Sequence, residues 1–211
     1  WTIEPDGTCY RCYVAVYEHH VTAAVAYGIC NYIKITQDME FLYSKGAEIL
    51  TETARFWASR CEYNQAKDCY EINQVTGPDE WHEPVNNNLY TNYLARWNLR
   101  YVLSLLTAMK EEKTDAYRAL VEKTGLTECE METWREVQAK MYLPRKEGTK
   151  LLEQFEGYFE LDNVTIEKYD ENDWPVRPEA LKTRKASETQ ITKQADVVML
   201  LHLLSEEFDE E

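Results

Sequence analysis

Apolar residues recur at helical spacing along most of this chain, and they nowhere alternate long enough to build a strand of useful length. That pattern predicts an all-α fold. A first helix is expected over 13–36, where Val14, Val21, Val25, Ile29 and Ile33 recur, with Ala23, Ala24 and Ala26 permitting close approach to a neighbour. A second is expected over 38–62 (Phe41, Leu42, Ile49, Leu50, Phe56, Trp57). A third over 89–110 carries Leu94, Trp97, Tyr101, Leu105 and Ala108 on one side. A short fourth follows over 114–123. Thr127 with Glu130 three residues later has the form of a capping box for a fifth, which runs to about Met141. The last covers 188–205, before an acidic tail. Residues 1–10, with Pro5, Asp6 and Gly7, read as loop. Two long connections remain, 63–87 and 142–187, the second broken by Pro144, Pro175 and Pro178. Long loops among helices are functional more often than accidental, so candidate chemistry is sought there first.

The first connection ends in the densest chemistry of the chain, Thr76 to Asn92. Gly77 and Pro78 break any regular element and fix a bend. Three carboxylates (Asp79, Glu80, Glu83) and the His82 imidazole follow at once. Trp81 and Tyr90 offer flat faces of the kind sugar rings stack on, and the amides of Asn86, Asn87 and Asn88 suit recognition of hydroxyls. A lone Asp-Glu pair in such a loop is usually a solvated turn, so the weight rests on the whole run.

The 211 residues are enough for one domain with a real core. A net charge of −15 argues against nucleic acid and anionic membrane surfaces as partners. The 15 Tyr and 6 Trp mildly favour carbohydrate. Cys9 and Cys12 form a C-x-x-C without a second pair at metal-ligand spacing, so no metal site is expected and the 6 Cys read as reduced thiols. Asn163-Val164-Thr165 is a glycosylation sequon, meaningful only in a secreted chain. With no signal peptide and no apolar run long enough to cross a membrane, a cytoplasmic location is expected. The chain starts at Trp1, not Met.

Thr76-Gly77-Pro78-Asp79-Glu80-Trp81-His82, then Asn86 to Asn88, then Tyr90-Thr91-Asn92, resembles the acid loop of glycoside hydrolase family 65, the maltose, trehalose and kojibiose phosphorylases. A second stretch, Lys193-Gln194-Ala195-Asp196, resembles the family's sugar-binding motif. Glu48 to Ala58 and His20-Val21-Thr22-Ala23 are similar to its scaffold, and Gln154-Phe155-Glu156-Gly157-Tyr158 to a substrate-side loop. The resemblance implies Glu80 as proton donor to the glycosidic oxygen, with Lys193 and Gln194 on glucosyl hydroxyls. Cys12 and Tyr13 stand where the family carries a Trp and an acidic residue that hold the glucosyl ring. It also implies a partial (α/α)6 toroid of about six helices, a single partial catalytic-barrel domain over 1–211. The family's N-terminal β-sandwich is absent, and the chain ends before the Ser- and His-bearing loop that receives phosphate.

The implied reaction is inverting phosphorolysis of an α-linked glucose disaccharide to a β-sugar 1-phosphate and glucose, with inorganic phosphate as co-substrate and no cofactor. The chain would be the catalytic portion of a larger enzyme, possible as a homodimer, and inactive alone. Two alternatives stand beside it: a hydrolase similar to acid trehalases, and a non-catalytic helical interaction module. As general acid, Glu80 must be protonated when substrate is bound; burial beneath Trp81 or proximity to Asp79 is expected to raise its pKa.

Overall fold

A computed structural model describes residues 2–10, 14–182 and 185–208. The chain is mostly helical. Its elements in order are β1 (Thr2–Ile3), β2 (Cys9–Tyr10), α1 (Val14–Tyr17), α2 (Val21–Thr36), α3 (Met39–Phe41), a π-helical turn (Leu42–Gly46), α4 (Ala47–Arg60), β3 (Glu62–Asn64), β4 (Cys69–Glu71), α5 (Leu89–Glu112), α6 (Thr114–Thr124), α7 (Glu128–Ala139) and α8 (Asp196–Leu203). No helix among the described residues is long and apolar enough to cross a membrane.

These elements form two compact units. One comprises 19–73 and 91–143. In it α4 packs against α2, α6 and α7. Leu50, Ala54 and Trp57 of α4 are fully buried, at the i, i+4, i+7 spacing of one helix face. Arg55 on the same helix donates to Glu130 of α7 at 2.7 Å and to the Thr124 carbonyl that ends α6 at 3.2 Å. Thr127 caps α7: its hydroxyl accepts the Glu130 N–H at 3.2 Å, and the Glu130 carboxylate accepts the Thr127 N–H at 3.0 Å.

The first three expected helices have different bounds or faces, each for a readable reason. The first is interrupted. Tyr17's carbonyl, which an unbroken helix would offer four residues on, accepts the Thr76 N–H instead at 2.9 Å, and α2 starts only at Val21. Within α2 the buried positions are Ala23, Ala26, Cys30 and Ile33, while Val21 and Val25 lie exposed. The second expected helix is three pieces, because the Ala47 N–H reaches five residues back to the Leu42 carbonyl and widens one turn. On α5 the buried stripe is Ala95, Leu99, Val102, Leu106 and Met109; of the expected face Leu94 is buried, Trp97 and Tyr101, which stack at 5.6 Å, are half-buried, and Ala108 is exposed.

Short strands stand where loop was expected. β1 pairs antiparallel with β2, and β3 with β4. The β3–β4 turn is made by Asn64, whose side-chain oxygen accepts the N–H groups of Ala66 and Lys67 at 3.0 and 3.2 Å.

The other unit comprises 1–18, 74–90 and 144–211. Its chain is largely irregular, with short 3₁₀ turns at Tyr158–Glu160, Ala186–Glu188 and Ser205–Glu207. The last expected helix is cut to α8, eight residues long. Residues 189–195 send their backbone groups sideways rather than along a helix: Gln190 N–H to the Asp162 carbonyl, Lys193 N–H to the Asp79 carboxylate.

Candidate active site

The loop at 74–90 is pinched shut at its base. Val75 and Val85 exchange both backbone hydrogen bonds, at 2.9 and 2.8 Å, and the Asn86 side-chain oxygen accepts the Gln74 N–H at 3.0 Å. The nine residues between hold the carboxylates that the sequence singles out.

Asp79 is buried and its carboxylate accepts four N–H groups. Oδ2 takes His82 Nδ1 at 2.6 Å and Gln154 Nε2 at 2.9 Å; Oδ1 takes the backbone N–H of Lys193 at 3.0 Å and of Trp81 at 3.2 Å. Burial works against the charge, but the His82 bond and the two backbone donors outweigh it and hold this carboxyl below the usual range. His82 is buried too, with Nε2 at 2.8 Å from the Thr189 carbonyl. Burial pushes its pKa down; the hydrogen bonds to Asp79 and Thr189 push it up and prevail. The Phe155 ring lies 5.1 Å from its ring and that of Tyr158 6.2 Å.

Glu80, the next residue, is half-exposed. Its Oε2 accepts Lys193 Nζ at 2.9 Å and its Oε1 accepts Gln194 Nε2 at 2.9 Å, while the Gln194 side-chain oxygen receives the Glu80 N–H at 3.3 Å. The three residues that the two sequence motifs single out thus form one cluster, although over 110 residues of chain separate them. The expected rise in the Glu80 pKa is not found. The hydrogen bonds from Lys193 and Gln194 hold this carboxyl below its usual range; Asp79's charge opposes them and is the weakest influence of those acting. Glu18 and Glu83 are raised, chiefly by burial and next by the charge on Glu80. Cys12 and Tyr13 lie outside the described residues.

Two other expectations need correcting. Tyr90 is buried and offers no free face, whereas Trp81 is 41% exposed. All three asparagines brace the loop: Asn86, exposed, holds Gln74, while the buried Asn87 Nδ2 donates to Glu156 at 2.9 Å and the buried Asn88 Nδ2 donates to Asp196 at 2.8 Å. Gln154, Thr189 and Asp196 are the residues that the sequence reading left without a structural task. The sequence signal for Asp196 was its place beside Lys193 and Gln194; for Thr189, which contributes a main-chain carbonyl, there was none.

The family model described as the glycosyl hydrolase family 65 central catalytic domain matches residues 3–211. A kojibiose phosphorylase from Caldanaerobacter subterraneus subsp. tengcongensis is 51% identical over the whole chain, which spans 27% of that protein. One from Halothermothrix orenii is 42% identical over 97% of the chain and 26% of its own length. A nigerose phosphorylase from Lachnoclostridium phytofermentans is 35% identical over 95% of the chain and 27% of its length. Among solved structures, a human-microbiome protein provisionally described as a kojibiose phosphorylase superposes with a TM-score of 0.74 at 31% identity, over 89% of this chain and 24% of that one. The chain therefore spans about a quarter of the length of the relatives it matches.

Proposed function

The chain belongs to glycosyl hydrolase family 65, an enzyme family, and from that premise we propose that its whole protein carries out inverting phosphorolysis of an α-linked glucose disaccharide. The products are a β-sugar 1-phosphate and glucose. The names of the more similar relatives make kojibiose the first substrate to assay. The observation that carries the reading is the seat of Glu80 between Lys193 and Gln194.

An alkoxide leaves poorly at neutral pH, so the bond from C1 to the glycosidic oxygen breaks only as an acid protonates that oxygen. Glu80 is that acid. Phosphate attacks C1 from the opposite face, forming the new C–O bond as the old one opens, which inverts the anomeric centre. No second protein carboxylate is needed, because phosphate is itself the nucleophile; an inverting hydrolase would need one to activate water. Lys193 and Gln194 are cation and amide, the donors that glucosyl hydroxyls accept from. When sugar hydroxyls take those donors, Glu80 loses the two contacts that keep it ionised and its pKa rises toward what an acid requires. Phosphate is the only co-substrate this chemistry asks for.

The same reading extends to the fold. Exposed apolar side chains on α2 (Val21, Val25, Ile35) and α8 (Val198, Met199, Leu201) fit helices that pack into the rest of an (α/α)6 toroid, of which 1–211 is a portion.

The test is Glu80→Gln in the full-length enzyme. Sugar 1-phosphate formation from kojibiose should fall about 10²–10⁴-fold, the usual worth of general acid catalysis. Glucose release by the wild type should require phosphate; release that persists without phosphate would make the enzyme a hydrolase.

A further inference from the structure

Behind the cluster lies a pair of buried groups that touch neither the Glu80 carboxylate nor the Lys193 ammonium. Thr189's carbonyl oxygen only accepts, and so does the ionised Asp79 carboxylate. Each faces one nitrogen of His82, at 2.8 and 2.6 Å. Both ring nitrogens must then carry hydrogen, and the ring is an imidazolium. Asp79 and His82 form a buried ion pair, and all four faces of its carboxylate are filled.

What the pair joins gives it a use. Glu80 is anchored from both sides, because its neighbours Asp79 and Trp81 share the same carboxylate bond. Lys193 is anchored to that carboxylate through its backbone N–H, which leaves its ammonium free to reach Glu80. His82 ties the carbonyl of Thr189, four residues before Lys193, and Gln154 ties the segment before the Tyr158 turn. Three segments far apart in sequence meet on one ion pair, one residue from the acid.

We propose that Asp79 and His82 are positioning residues that fix the Glu80 acid against the segment carrying Lys193 and Gln194, so that the acid meets the glycosidic oxygen. This rests on the reading of Glu80 as the proton donor. A misplacement of about 1 Å costs on the order of 10² in rate, so loosening the pair should impair proton donation while leaving the cluster chemically complete.

The test separates leaving groups in the full-length enzyme. Kojibiose needs protonation of its leaving oxygen; α-glucosyl fluoride, whose leaving group departs as fluoride, does not. Glu80→Gln sets the reference, with a large loss of kcat on kojibiose and a small one on the fluoride. Asp79→Asn turns a donor toward two of the four N–H groups, and His82→Gln cannot donate in both directions. Each should lower kcat on kojibiose by about 10²-fold and retain most turnover of the fluoride in the presence of phosphate. Gln154→Met, which removes one of the four donors and leaves the ion pair, should show the same selectivity at about a tenth of the size and keeps the test open if the other two variants do not fold. Equal losses on both substrates, or no loss in folded variants, would overturn the positioning role. If Glu80→Gln itself turns over kojibiose normally, the reading of the acid fails first, and the two failures are told apart.

Discussion

Asp196 carries a buried carboxyl whose two oxygens are treated unequally. Oδ2 accepts Asn88 Nδ2 at 2.8 Å, and Oδ1 has no partner. Gly77 lies against it so closely that a Cβ there would collide with the Asp196 and Asn88 side chains, which is why the loop needs glycine at this point. Burial pushes the Asp196 pKa up to about 7; the Asn88 bond offsets part of this and the Asp79 charge adds to it. A carboxyl raised on folding favours the native state below its unfolded pKa of about 4 and withdraws that support as pH climbs through about 7. Asp196→Asn removes the titration and can still accept from Asn88. Its stability relative to wild type should grow between about pH 4 and pH 7 and level off above, by up to ~4 kcal/mol, read as Tm of the full enzyme against pH. A pH-independent difference would show that Asp196 titrates normally. That Glu80, Lys193 and Gln194 belong together was legible in the sequence because each is marked by a run of unusual neighbours. The braces were not. An asparagine reads as a ligand for hydroxyls until its partner is known, and the partners of Asn87 and Asn88 lie 69 and 108 residues away.

Elements were legible where their boundaries are set locally. The cap of α7 needs only Thr127 and Glu130, three residues apart, and both halves of it formed. Thr127→Ala should cost about 1 kcal/mol, seen as a lower urea midpoint with an unchanged slope; no shift would mean that the Arg55–Glu130 pair holds the helix end by itself. Boundaries set from a distance were misread. Tyr17's carbonyl is taken by Thr76, and Lys193's N–H by Asp79, so both flanking segments leave the helix that their apolar spacing predicts. The faces of α2 and α5 were assigned correctly only in part, at Ile33 and Leu94, for a related reason. Periodicity shows that a helix has an apolar side, but alanines at Ala23 and Ala26 can bury as fully as valines, and the larger residues then point elsewhere.

At the scale of the whole molecule, several large apolar side chains stay in water: Ile35 is 81% exposed, Val198 65% and Val21 52%. Produced as an isolated polypeptide, residues 1–211 should bind a dye such as ANS and self-associate despite the net charge of −15, and should form no sugar phosphate. A monodisperse, dye-silent chain would show that these side chains need no cover. The unit bearing Glu80 is assembled from three separated stretches of sequence, interleaved with the two that make the other. Asp79 and the Lys193 amide that it accepts are 114 residues apart. A ribosome adding about 5–20 residues per second leaves that carboxylate waiting on the order of ten seconds for its last donor to be made. Until then a truncated product has the loop without the segment that carries Lys193 and Gln194, so this cluster is among the last parts of the chain that synthesis can complete.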